Sequence, residues 1–269
     1  MKRFFAALML CFATSVFSMT AVAQSMPPPP YGDYPAHVGG SDEGLDQQGK
    51  RPSPYVSREP QVIKKGPLAP SIDDRIAFTT FLKNKNTGLI RLLPREAYES
   101  ETNHAKNKLH SRGGGAYYSF ANRTHAIGFG SDIGFDHNKL SVGFAGFDYG
   151  MLTSIGDTPL EPITLDDRRV QSIAAYRPPR SRPAASEQYR RISSTDGMTF
   201  DGFLYHKRLP VEENSTYLLR SIVYRRSDVL VAFRLVRKDT DGSVIIAWKL
   251  LKQYSTPKLE RTNQVPDLH

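Results

Sequence analysis

The residues best suited to chemistry are His125, Asp132, Asp136, His137, Asp148, Tyr149 and Asp157, which fall within or just after a stretch rich in glycine and aromatic side chains. Two of those carboxylates facing each other across a groove would serve as an acid and base pair on a glycosidic or ester bond. Asp132, Asp136, Asp148 and Asp157, with His125, are therefore the candidate catalytic groups. Tyr117, Tyr118 and Tyr149 are candidates to line a sugar-binding groove beside them, and the same oxygens are suited to calcium. Aspartate next to glycine is also ordinary turn chemistry, and that plainer reading is the one a single sequence favours.

A second group is basic. Arg177, Arg180, Arg182, Arg190 and Arg191 crowd a stretch interrupted by Pro178, Pro179 and Pro183. They are candidates for binding an anionic surface polymer, although salt weakens each such contact over a length of about 8 Å. The commonest catalytic and nucleotide-binding patterns are absent: Gly-x-Ser-x-Gly, His-Glu-x-x-His, the phosphate loop and Gly-x-Gly-x-x-Gly. Asp239-Thr240-Asp241-Gly242 resembles half of a calcium loop, but apolar runs on both sides make it a hairpin turn. No cofactor and no metal site is expected.

These residues must be held by a mainly β fold. Thr216 to Tyr224, Val229 to Arg237 and Ser243 to Tyr254 are β-branched and aromatic runs separated by turn residues, which predicts a three-stranded antiparallel meander. In the middle run Val229, Val231, Phe233 and Leu235 share one face and Leu230, Ala232, Arg234 and Val236 the other, so both faces are largely apolar and need cover. Ser71 is placed to cap a short helix through Ile72, Ile76, Phe78, Phe81 and Leu82, which should cover part of one face. Leu89 to Leu93 reads as a strand. Short strands between Gly113 and Ile155 should complete a curved antiparallel sheet or a β-sandwich. From Asp157 to Gly197 the chain reads as a long loop with one strand over Val170 to Tyr176, and a loop of that length invites a binding role. Trp248, the only tryptophan, alternates with Val244, Ile246 and Leu250 and is expected in the core.

The N-terminus sets the compartment. Lys2 and Arg3, the apolar run from Phe4 to Phe17, and small residues at Ala21 and Ala23 before Gln24 have the form of an export signal. The run is too short for a membrane span, which needs about 20 apolar residues. Cleavage near Ala23-Gln24 would remove Cys11, the only cysteine, which excludes disulfides and thiol chemistry from the mature chain. Residues 24–70 hold ten of the nineteen prolines and few apolar side chains, and read as a disordered leader. One β-rich domain over 71–258 and a flexible tail over 259–269 complete the expected organisation.

The chain carries 36 Lys and Arg against 27 Asp and Glu, a net charge of +9 that falls by two when Lys2 and Arg3 leave. Outside the cytoplasm such a charge meets envelope glycans and lipid head groups rather than nucleic acid. The sequence thus points to an exported, non-enzymatic binding or envelope-associated module, whose partners are anionic envelope polymers or another exported protein. The alternative is a glycan or ester hydrolase of the envelope using an acidic pair.

Overall fold

The computed structural model describes residues 66–98, 115–125, 130–144 and 146–260. The export signal, the leader up to residue 65, the start of the glycine-rich region at Gly113 and residues 261–269 lie outside that set. Eleven strands and four short α-helices are built from the described residues. Strands β1 (Thr87–Leu92), β5 (Tyr149–Ser154), β9 (Thr216–Val223), β10 (Ser227–Lys238) and β11 (Val244–Gln253) form an antiparallel sheet in the order β1-β11-β10-β9-β5. Strands β2 (Tyr117–Tyr118), β3 (Ile133–Asp136), β4 (Lys139–Ser141) and β8 (Arg208–Pro210) form a smaller antiparallel sheet, and β6 (Met198–Phe200) pairs with β7 (Phe203–Tyr205) as a separate hairpin.

The meander forms as its alternation predicts. Val229, Val231, Phe233 and Leu235 pack with Ile90, Leu219, Ile246 and Trp248 against Tyr118, Ile133, Phe135 and Leu140 of the smaller sheet and Phe120 of the turn after β2. This half of the molecule is a β-sandwich. Leu230 and Ala232 point the other way, into a second core shared with Leu218, Ile222 and Ile245. The partner there is helical: α3 (Arg168–Ala175) supplies Val170 and Ile173, and α4 (Arg182–Ser193) supplies Ala185 and Ile192.

Those helices correct the expected loop and strand between Asp157 and Gly197. Asp167 caps α3 by accepting from the Arg169 amide, Ser181 caps α4 by accepting from Ala184, and Pro183 sits in the first turn where it lacks only an unneeded donor. Val170 and Ile173 lie three apart and so share the buried helix face, a spacing that a charged, proline-flanked segment disguises.

The helix at Ser71 also forms, as α1 (Ile72–Ala77), with Ser71 and Asp74 making a reciprocal capping box. Asp74 in turn receives both arms of Arg237 at 2.6 and 3.0 Å, which ties α1 to β10. It does not lay Ile72 and Ile76 on the sheet; these remain 66% and 67% exposed, and the cover comes from Phe78, Phe81 and Leu82 just beyond the helix. The helix ends after six residues, and the 3-10 turn Phe81–Lys83 rotates the later apolar side chains inward. Between Pro94 and Ser111 the described part is the short helix α2 (Arg95–Tyr98). No helix among the described residues is long and apolar enough to cross a membrane.

Candidate functional site

Each of the acidic candidates is held by its own local partners. Asp132 is fully buried and accepts from the amides of Phe120 at 2.6 Å and Ala121 at 3.2 Å and from the Ser119 hydroxyl, so it closes the turn after β2. Burial pushes its carboxyl above the usual range. Asp148 is 9% exposed and accepts from the Tyr224 amide at 2.9 Å; burial raises it to about 6. Asp148 and Tyr149 sit where a side chain on Gly143 could not: a β-carbon there would lie 2.7 Å from the Tyr149 α-carbon. Asp157 is 78% exposed and pairs with Arg234 at 2.6 Å.

Asp136 closes β3 beside His137 and Asn138, both in the left-handed region with φ of 48° and 56°, as a two-residue hairpin requires. Its carboxylate takes His137 Nδ1 at 2.6 Å and lies 3.7 Å from Arg208. Glu96 joins this group by accepting from the His137 amide, and the donor atoms of Glu96, Asp136 and His137 lie within 4.8 Å of one another. That spacing alone does not make a cation site, since Asp136 is already paired with His137 and Arg208, and Glu96 with the His137 amide. His125 is half-buried: its Nε2 donates to the Arg91 carbonyl at 2.8 Å, its Nδ1 has no partner among the described residues, and burial lowers its pKa.

The tyrosines separate in the same way. Tyr118 and Tyr149 are core residues at 5% and 1% exposure, and the Tyr149 hydroxyl meets that of Tyr176 at 2.8 Å. Tyr117 is half-buried, edge-on to Phe144 with the Arg95 guanidinium 5.9 Å from its ring.

The basic candidates do meet a concave surface. Arg177 and Arg180 line one wall of an open cleft of about 960 Å³, whose opposite wall is the run from Lys252 to Glu260. Arg182 opens α4 outside that lining. The floor is Arg220, which stands alone among apolar residues of β9 and is 1% exposed. It is bidentate to Asp228 at 2.9 and 3.0 Å and donates to the carbonyls of Ile173, Ala174 and Tyr176, the last at 2.6 Å. A cation is thus seated on the carbonyl end of α3, where the helix dipole favours it. The Tyr254 ring lies 3.8 Å from the Arg220 guanidinium, and the Tyr254 hydroxyl donates to Ala174.

Around this neutral floor the rim is positive. Arg177, Arg180, Lys252 and Lys258 are exposed and form no salt bridge among the described residues, with Glu260 as the one exposed acid beside them. Both walls are anchored by main chain: the Tyr224 hydroxyl donates to Pro179, the Glu260 amide to Arg180 and the Arg225 amide to Pro257. Sequence reasoning reached Arg177 and Arg180 but missed Arg220, Lys252, Tyr254 and Lys258. The signal for Arg220 was present as a lone charge inside an apolar strand, with Asp228 available across the hairpin.

No protein-family model and no curated protein matches the chain. Among solved structures, a candidate lipoprotein from Bacteroides fragilis NCTC 9343 is similar over 63% of this chain and 91% of its own length, at 11% identity and a TM-score of 0.27. Similarity that slight carries no argument about fold or role.

Proposed function

We propose that the chain is an exported, non-catalytic binding module that takes an anionic ligand in the cleft between Arg177–Arg180 and Lys252–Glu260. The observation that carries this reading is the set of four exposed cations without ionic partners around a concave surface. Unneutralised charge of one sign in a cleft raises the local concentration of an oppositely charged ligand. The volume is within the range of about 300 to 1,000 Å³ usual for ligand sites. A hydrolase would need two carboxylates open to a substrate. Asp132 and Asp148 are instead enclosed, and Asp136 and Asp157 are paired with arginines, so no observation favours that chemistry.

Retention on immobilised dextran sulfate tests the reading. Changing Arg177, Arg180, Lys252 and Lys258 to glutamine should lower the salt needed for elution well below that of a control with Lys83, Lys85, Lys139 and Arg168 changed instead. Equal loss in the two variants would mean that net charge, not the cleft, attracts the polymer. Export is tested separately: the secreted chain should begin at Gln24 by mass spectrometry, and a chain still starting at Met1 in a membrane fraction would overturn it.

A further inference from the structure

The cleft wall that bears Arg177 and Arg180 has a spacing and a surface chemistry that narrow the ligand. The segment reads Arg177-Pro178-Pro179-Arg180 and leaves α3 through Tyr176, whose backbone is extended at φ −57° and ψ 136°. Each proline fixes its own φ near −65°, and a residue before proline is held extended. The segment is therefore a single turn of polyproline II helix. With three residues per turn and about 3.1 Å per residue, the α-carbons of Arg177 and Arg180 lie about 9 Å apart on the same side of such a turn.

That wall offers a polymer main chain few groups to pair with. Pro178 and Pro179 have no amide hydrogen, and the carbonyls of Tyr176, Pro179 and Arg180 are already taken by Arg220, Tyr224 and Glu260. With two amides missing and three carbonyls engaged, the segment offers no continuous ladder for an added peptide strand. Between the two guanidiniums lie only proline rings, flat apolar faces suited to the C–H face of a sugar ring, while the hydroxyl of Ser255 on the opposite wall is free for a sugar hydroxyl.

Resting on the reading of the cleft as an anion site, we infer that its ligand is an acidic glycan carrying one carboxylate for every two sugar units. Two linked pyranose rings repeat over about the backbone spacing of the two arginines, which lets successive carboxylates meet Arg177 and Arg180 while the intervening ring lies over Pro178 and Pro179. Nucleic acid fits less well, because it carries a charge on every nucleotide and offers stacked bases rather than the C–H face of a sugar to the proline rings. A flat lipid surface does not enter a concave site.

The test is calorimetric titration with four probes: a hyaluronate octasaccharide (a carboxylate on alternate sugars), an oligogalacturonate of equal length (a carboxylate on every sugar), oligo-aspartate and a single-stranded oligonucleotide. The informative variant is the exchange Arg177→Pro with Pro178→Arg. It keeps composition and net charge and suits the extended Tyr176, but sets the guanidiniums two residues apart on different sides of the helix. Hyaluronate should bind the wild type best and lose about tenfold in affinity in the exchange variant, the equivalent of one good charged contact. Oligogalacturonate, which can offer another carboxylate, should change by less than about threefold. Hyaluronate binding that is unchanged by the exchange, or tighter binding of the peptide or oligonucleotide, overturns the inference about the glycan. Loss of no probe in the fourfold glutamine variant, or no binding of any probe to the wild type, overturns the cleft reading itself. Unchanged thermal melting of both variants excludes misfolding as the cause.

Discussion

Single positions show how tightly the sandwich is closed. Gly88 faces the indole of Trp248, and a β-carbon added there would lie 2.4 Å from the ring. Trp248 is itself packed against Phe120 and Tyr118, so it has nowhere to retreat. Gly88→Ala should cost about 1–3 kcal/mol, as overpacking does in well-filled cores. Urea denaturation measures it, and a midpoint equal to wild type would show that the two sheets can part to admit a methyl group.

Asp148 has a pH signature of its own. Its pKa is near 6 in the folded chain against 3.8 in the reference state, so between those values the folded state holds more protons than the unfolded one. Stability contributed by this group is present below about pH 4 and is lost as pH rises to about 6. Asp148→Asn keeps an acceptor for the Tyr224 amide and cannot ionise. Its stability relative to wild type should therefore rise from pH 4 to pH 6 and then level off; a flat difference across that window would place the titration elsewhere.

At the scale of elements, the junction of β9, α3 and the C-terminal run depends on one buried ion pair. Arg220→Met would strand Asp228, 1% exposed, without its cation and remove the donor to the Ile173 and Tyr176 carbonyls at the end of α3. Removing one member of a buried pair costs about 3–5 kcal/mol, whereas replacing both by apolar residues often costs far less. The double variant Arg220→Met, Asp228→Leu should recover much of the loss in the same denaturation assay. A double variant no better than the single would assign the cost to the helix carbonyls instead.

The elements differ in how readable they were. The meander was legible because its alternation is strict and one turn carries Asp239-Thr240-Asp241-Gly242; the other falls at Tyr224-Arg225-Arg226, with Arg225 at φ 64°, so that Ser227 and Asp228, expected in the turn, already pair in β10. The helices α3 and α4 were not, because Val170 to Tyr176 is equally compatible with a strand and the deciding caps, Asp167 and Ser181, look like any loop residue. For the site, Arg177 and Arg180 could be singled out by their prolines. Lys252 and Lys258 could not, since only the packing of the C-terminal run against α3 brings them opposite. The carboxylates sit close in sequence, yet the pairings that separate them, with Arg208, Tyr224 and Arg234, are made with distant strands.

At the scale of the whole molecule, β9, β10 and β11 are covered on both faces, by the small sheet on one side and by the helices on the other. Amides of Leu219, Val231, Phe233 and Ile246 should exchange last with deuterated solvent, and those of α1 and of the β6–β7 hairpin first. Mass spectrometry of peptic fragments reads this order directly. Equal protection over 198–205 and 229–235 would mean that the hairpin opens only with the core.

Having one tryptophan, placed at the seam of the two sheets and 1% exposed, also gives the protein a single-point optical reporter. Its emission should be that of an indole shielded from water, modulated by the Arg123 guanidinium 5.7 Å from the ring. A shift to longer wavelength would register the small sheet lifting away, whereas melting confined to α3 and α4 would leave the spectrum unchanged. Ligand entering the cleft on the far side of the large sheet should therefore be optically silent, and any fluorescence change on binding would reveal that strain crosses the sheet from one core to the other.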